Sequence, residues 1–257
     1  MDIEIPPEAY NLGTPTAEYS TNPRSKKDVL LSGGAFILLG LVVPIIGLLV
    51  AKGKDTLQVV ATGLPLIFIG GFAILNYMRH HDLRVLLYEN GFSHTRSGKT
   101  EVARWDEVDK VWQDVTETYR GNVHTNTTHR YKVKLDDGRK YVFDEKLGKV
   151  AALGNALQKR CAEYMLPRAQ EAYEAGEAVS FDKFSLSRAG ISKGDKTLPW
   201  QEVESVEVRR GTLHIKKKGQ DRDWAFAMVS KVPNPMVFMA LAKQHGPSPV
   251  QGQLRSE

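Results

Sequence analysis

Hydrophobic and polar positions along this chain fall into two regimes. Residues 29–51, VLLSGGAFILLGLVVPIIGLLVA, and 56–78, TLQVVATGLPLIFIGGFAILNYM, hold no charged side chain. As helices rising about 1.5 Å per residue, each reaches about 34 Å, enough to cross a hydrocarbon core of about 30 Å. Helices of a soluble core rarely run so long without a charge. A cleaved signal segment would start earlier, be shorter and lack an immediate successor. Only Lys52, Gly53, Lys54 and Asp55 join the two stretches. The pattern therefore predicts a transmembrane helical hairpin over 29–78, with both ends on one side. Arg24, Lys26 and Lys27 precede it and Arg79 and Arg84 follow, against Lys52 and Lys54 in the link. The positive-inside rule puts that side in the cytoplasm.

Gly33, Gly40 and Gly47 recur at seven-residue steps in the first stretch, and Gly63 and Gly70 in the second. That step keeps them near one helix face, where small residues let helices approach closely in lipid. Glycine is also simply frequent in membrane helices. No ionisable residue interrupts either stretch, so the usual mark of an ion or substrate path is missing. Residues 1–28 and 247–257 lack apolar periodicity and read as disordered tails, the first cytoplasmic.

From residue 83 the period changes to two, and the pattern occurs twice, over 83–168 and 178–246. RWDEVDKV, from Arg104, matches PWQEVESV, from Pro199, and Gly91-Phe92-Ser93 matches Gly190-Ile191-Ser192. Alternating runs follow each tryptophan: YKVKL and RKYVF in the first, TLHIKK and DRDWAFAMV in the second. Such alternation predicts strands with one buried face. A helix closes each half, over 147–165 with Val150, Leu153, Leu157 and Cys161 on one stripe, and over 235–244 with Asn234 as N-cap. Trp105 and Trp200 are expected to anchor the two cores. The segment 115–130, Thr- and His-rich, replaces a tight turn at Arg209–Thr212 of the second half. It is either a recognition loop or a plain solvated hairpin.

The order of short antiparallel strands followed by a helix resembles pleckstrin-homology-like domains. VSFDKFSLSRAGISKGDKTLPWQEVESVEV and KVPNP are similar to an uncharacterised family of membrane-anchored proteins with such domains. The resemblance implies an α+β chain: a membrane hairpin, then two tandem small sheet domains, each closed by a C-terminal helix. It implies a membrane address and no reaction.

Charge and chemistry narrow the function further. The chain of 257 residues is formally +5, and 178–246 holds 12 Lys and Arg against 7 Asp and Glu. Arg209, Arg210, Lys216, Lys217 and Lys218 form the candidate binding cluster, on two neighbouring strands. For a tethered domain, anionic lipid headgroups are a nearer partner than nucleic acid; a plain solvated edge is the third reading. The single Cys161 excludes an intrachain disulfide and suits a reducing compartment. No nucleophile elbow, Walker loop, dinucleotide fingerprint or His-Glu-x-x-His motif occurs. His80 and His81 flank a span, and His124 and His129 have no third ligand at a usual spacing. No cofactor, metal or catalytic residue is therefore expected. The expected function is a non-enzymatic binding or scaffold module, integral to the inner membrane with two spans and both termini cytoplasmic. It would engage a protein segment or anionic lipid, and self-association or a protein partner through the helices is expected. The alternative is an accessory subunit of a transport or membrane-stress assembly, docked through the hairpin.

Overall fold

The computed structural model describes residues 11–21, 23–50, 56–78, 82–121 and 123–246. The link 52–55, Arg79, His80, His81 and the tail 247–257 lie outside the described residues. These contain four antiparallel sheets and four helices, a mixed α+β chain.

The chain enters its first sheet earlier than the sequence suggests. β1 (Pro15–Ser20) pairs antiparallel with β2 (Arg84–Tyr88), Ser20 facing Arg84 and Tyr19 facing Val85. Residues 15–20 are thus a strand of a folded sheet and not part of a disordered tail. Their alternation has a physical use: Ala17 and Tyr19 pack on the core of the first half, and Leu12 is buried beside Leu86 and Tyr88. β3 (Gly91–Arg96) and β4 (Lys99–Arg104) complete a four-stranded sheet in the order β1-β2-β3-β4.

Between β1 and β2 the chain runs through α1 (Pro23–Val50) and α2 (Thr56–Met78). α1 starts six residues before the apolar stretch, with proline in the first helical position, where its missing N–H costs nothing. Among the described residues one stretch, Lys27–Ile46, is long and apolar enough to cross a membrane by length and composition, and only 11% of its most apolar window is buried. Among the described residues the apolar part of α2 is shorter, Gly63–Leu75. The glycines lie between the helices. A Cβ on Gly40 would come within 2.8 Å of the Gly63 carbonyl, and one on Gly70 within 2.6 Å of the Gly33 carbonyl. Gly33 faces Gly70 and Gly40 faces Gly63, an antiparallel register in which backbone meets backbone. The surroundings of Gly47 lie outside the described residues.

β5 (Val108–Arg120), β6 (Val123–Leu135) and β7 (Lys140–Phe143) form a three-stranded sheet, and α3 (Val150–Glu174) follows. The second half has the same order: β8 (Val179–Phe181), β9 (Phe184–Ser187), β10 (Gly190–Lys193) and β11 (Lys196–Pro199) in one sheet, β12 (Val203–Arg209), β13 (Thr212–Lys217) and β14 (Asp223–Met228) in another, then α4 (Pro235–His245). Each tryptophan opens a 3-10 turn between the two sheets of its half. Trp105 Nε1 donates to the Tyr88 carbonyl at 3.2 Å and Trp200 Nε1 to the Ser187 carbonyl at 2.8 Å, each at the end of an equivalent strand. Trp105 is fully buried against Phe92; Trp200 is only half-buried. Gly91 and Gly190 are glycine for one reason: a Cβ at either would strike a carbonyl of the next strand, at Ala103 or Leu198.

The two halves are joined by α3 and by one asparagine. The first half of α3 puts Val150, Leu153, Leu157 and Cys161 into the first core, as the stripe predicts. The helix then continues past residue 165, and Ala162, Met165, Leu166 and Ala169 pack on the second core. Asn234 does precede α4, but its side chain makes no cap hydrogen bond. It sits in the left-handed region, φ 51°, and reaches across to the open edge of β5. Val111 N donates to Asn234 Oδ1 at 2.8 Å, Asn234 N to the Val111 carbonyl at 2.7 Å, and Asn234 Nδ2 to the Asp109 carbonyl at 3.1 Å. One residue thus satisfies an edge strand that would otherwise present open hydrogen-bonding groups. Asn234→Ala removes two of these bonds and puts a Cβ residue with no polar side chain into a left-handed position. It should cost about 2–4 kcal/mol, read from chemical denaturation of the chain. A loss below about 0.5 kcal/mol, the level of an ordinary surface substitution, would show that the β5 edge does not depend on it.

Candidate functional site

The basic residues singled out from sequence occupy one hairpin but not one patch. Arg209 and Arg210 lie at the β12–β13 turn, where Arg209 faces Thr212 across the strands. Lys216 and Lys217 lie at the other end, facing Ser205 and Val203, with Lys218 just beyond. Four to five residues of strand separate the groups, about 15 Å. Two of the charges are paired: Arg209 with Glu207 at 3.1 Å and Lys217 with Glu202 at 2.7 Å. The hairpin does not bring the five residues together. Its turn instead lies against the first half: Gly211 sits by the Val115 carbonyl, and its own carbonyl accepts from Val229 N at 2.8 Å.

Two other pairs of basic residues lie at the end of the first sheet where the chain passes into the helices. At the β3–β4 turn, Ser97 (φ 53°) and Gly98 (φ 71°) have the left-handed geometry of a tight hairpin. Asp82, in the link from α2 to β2, holds that turn by accepting from Ser97 N at 2.8 Å and from Gly98 N. Arg96 and Lys99 flank it, both exposed. The loop from β7 to α3 closes on the opposite link: Leu147 bridges Thr21, and Gly148 N donates to the Ser20 carbonyl at 2.8 Å. Lys146 and Lys149 are exposed on it. Its carboxylates accept from backbone, Asp144 from Lys146 N at 3.1 Å and Glu145 from His129 N at 2.6 Å. These four basic residues are scattered in sequence, and only the position of β1 reveals that they share a rim.

The segment 115–130 is a two-stranded arm. β6 pairs with β7 only as far as Tyr131, and the rest of β6 with its β5 partner extends beyond. Its cross-strand contacts are polar or aromatic, with Thr125 Oγ1 donating to the Thr118 carbonyl at 2.9 Å and Tyr119 edge-on to His124 at 5.5 Å. Tyr119 and Val123 are 55% and 67% exposed at the tip. An open groove lined by Asp114, Thr116, Thr128, His129, Arg130 and Glu145 runs along its base.

Chemistry at the remaining titratable groups is muted. Burial pushes the Cys161 thiol up to about 12, so it stays protonated at neutral pH and is a core residue. Among the described residues no three His, Cys, Asp or Glu side chains converge on a metal position. Residues 4–248 match the Family of unknown function (DUF6585), and the chain belongs to that family. No curated protein and no solved structure matches the chain.

His94, on β3 just before the rim turn, packs edge-on to Tyr141 and Phe143 at 5.5 and 5.9 Å. Burial holds its pKa below the ordinary 6.5; the Glu101 carboxylate opposes this shift and Arg96 adds to it. The unfolded chain therefore binds a proton at His94 first as pH falls. Its contribution is complete above about pH 6.5 and is lost on acidification through the window below that value. His94→Gln should make the melting temperature fall less between pH 7.5 and 5. An identical fall in both proteins would show that His94 is not desolvated.

Proposed function

We propose that this chain is a non-enzymatic binding module fixed to a membrane by a two-span hairpin. Both termini are cytoplasmic, and a duplicated pleckstrin-homology-like unit is held at the inner face for a protein segment or anionic lipid. One observation carries the reading: α1 and α2 are inserted between two strands that pair with each other. An apolar hairpin grafted there seats its sheet against whatever the helices enter. Side chains along the helices support a lipid environment, since Leu31 is 72% and Phe68 75% exposed. A cleaved leader is a poor fit, because cleavage after α1 would also remove β1 from its sheet. The close glycine contacts are those of helices that associate without a hydrophobic driving force. Support for a binding role comes from the polar arm and the basic rim.

A cysteine at Gly53 should react with a membrane-impermeant thiol reagent added outside intact cells, and a cysteine at Glu257 should not. Cys161 is buried and leaves little background. Labelling of Glu257→Cys but not Gly53→Cys would invert the orientation, and labelling of both would rule out two spans.

A further inference from the structure

We infer that the rim formed by the β3–β4 turn and the loop 144–149 is an anionic-phospholipid contact, with Arg96, Lys99, Lys146 and Lys149 meeting headgroup phosphates. This rests on the membrane-anchored reading above and assigns it a ligand and a surface. The argument is one of distance. The membrane-compatible stretch of α1 begins at Lys27, and the helix itself at Pro23. From Pro23 to Lys27 the helix rises about 6 Å, comparable to the headgroup layer outside the hydrocarbon core. Thr21 is the residue that Leu147 bridges, and Ser20 the one that Gly148 holds. On the other side, Asp82 ties the β3–β4 turn to the link from α2. Neither loop can swing away from the bilayer without breaking these bonds. The rim therefore lies within about one screening length, roughly 8 Å at physiological salt, of the headgroup plane.

Charge supplies the sign. Of the acidic neighbours, Asp82, Asp144 and Glu145 each turn a carboxylate oxygen to a backbone N–H of the rim or of the adjoining strand, and Glu101 lies two residues from Lys99 on β4. The guanidinium and the three ammonium groups are on exposed residues of the two loops. Each lysine or arginine near a negatively charged leaflet strengthens its attraction to that leaflet about fivefold. Lys216–Lys218 have no such tie to the helices and serve as the comparison.

The test uses the full chain in phosphatidylcholine vesicles containing phosphatidylglycerol, with a fluorophore on a cysteine at Ser97. Spin-labelled phosphatidylglycerol and spin-labelled phosphatidylcholine are compared as quenchers. The anionic quencher should be at least about fivefold more effective per molecule, and high salt should shrink the difference. Replacing Arg96, Lys99, Lys146 and Lys149 by Gln, with melting temperature unchanged, should bring the two quenchers to parity. K216Q, K217Q and K218Q together should leave the preference intact. Equal quenching of the unmodified rim, or a preference that survives the fourfold change, overturns the inference. Absence of quenching by either lipid overturns it too, because the rim then faces away from the bilayer. If Gly53→Cys is still labelled from outside, that failure leaves the anchored reading standing; if it is not, both fail together.

Discussion

The pairing of β1 with β2 across the helical hairpin is the constraint on which the rest of the structure depends. The chain leaves its first sheet at Ser20, runs through two long helices and returns at Arg84 as the antiparallel partner of the strand it left. Two paired strands end side by side, so the helices they feed must start and finish side by side. That requires an antiparallel pair, and the glycine contacts, Gly33 to Gly70 and Gly40 to Gly63, are what lets the pair close. The same pairing makes the first half discontinuous in sequence and brings the links of α1 and α2 against the β7–α3 loop and the β3–β4 turn. Both links to the helices therefore leave the first sheet at the same end.

The second half inherits its position from the first. α3 contributes to both cores, Leu153 and Leu157 on one side and Leu166 and Ala169 on the other. A rigid helix shared in this way works as an axle between the halves. Asn234 adds a second attachment by standing in for a strand along the free edge of β5. Further along that edge the Gly211 turn approaches Val115, where the arm begins. The second half thus covers β5 up to the point where β5 and β6 continue as an isolated ribbon. An isolated ribbon of two strands is marginal in water.

Much of this was legible in the sequence, and the failures have physical causes. The helices were visible because absence of charge over a bilayer's length is a signal with few other origins. The glycine register was visible because a seven-residue step keeps one face in both helices. The tryptophans and the glycines before them were visible because both halves need them for the same turn and the same close strand approach. β1 was hidden because PTAEYS buries only alternate small or aromatic residues and finds its partner beyond the hairpin. The full length of α3 was hidden because its later apolar residues serve a second core and so drift off the first stripe. The hairpin that carries Arg209, Arg210 and Lys216–Lys218 was legible from its alternation, but the ion pairs that Arg209 and Lys217 make with Glu207 and Glu202 were not. The rim left no sequence signal, since its four charges come from loops that only the fold brings to one edge.

The central claim is that the strand before the helices belongs to the sheet after them. Cysteines at Ser20 and Arg84, directly opposed in the ladder, test it in the full chain when a protease site is placed in the link 52–55. After oxidation and cleavage of the link, the two fragments should migrate as one species without reductant and as two with it, while Cys161 stays buried and unpaired. Fragments that separate without reductant, with both new thiols still free, would contradict the account.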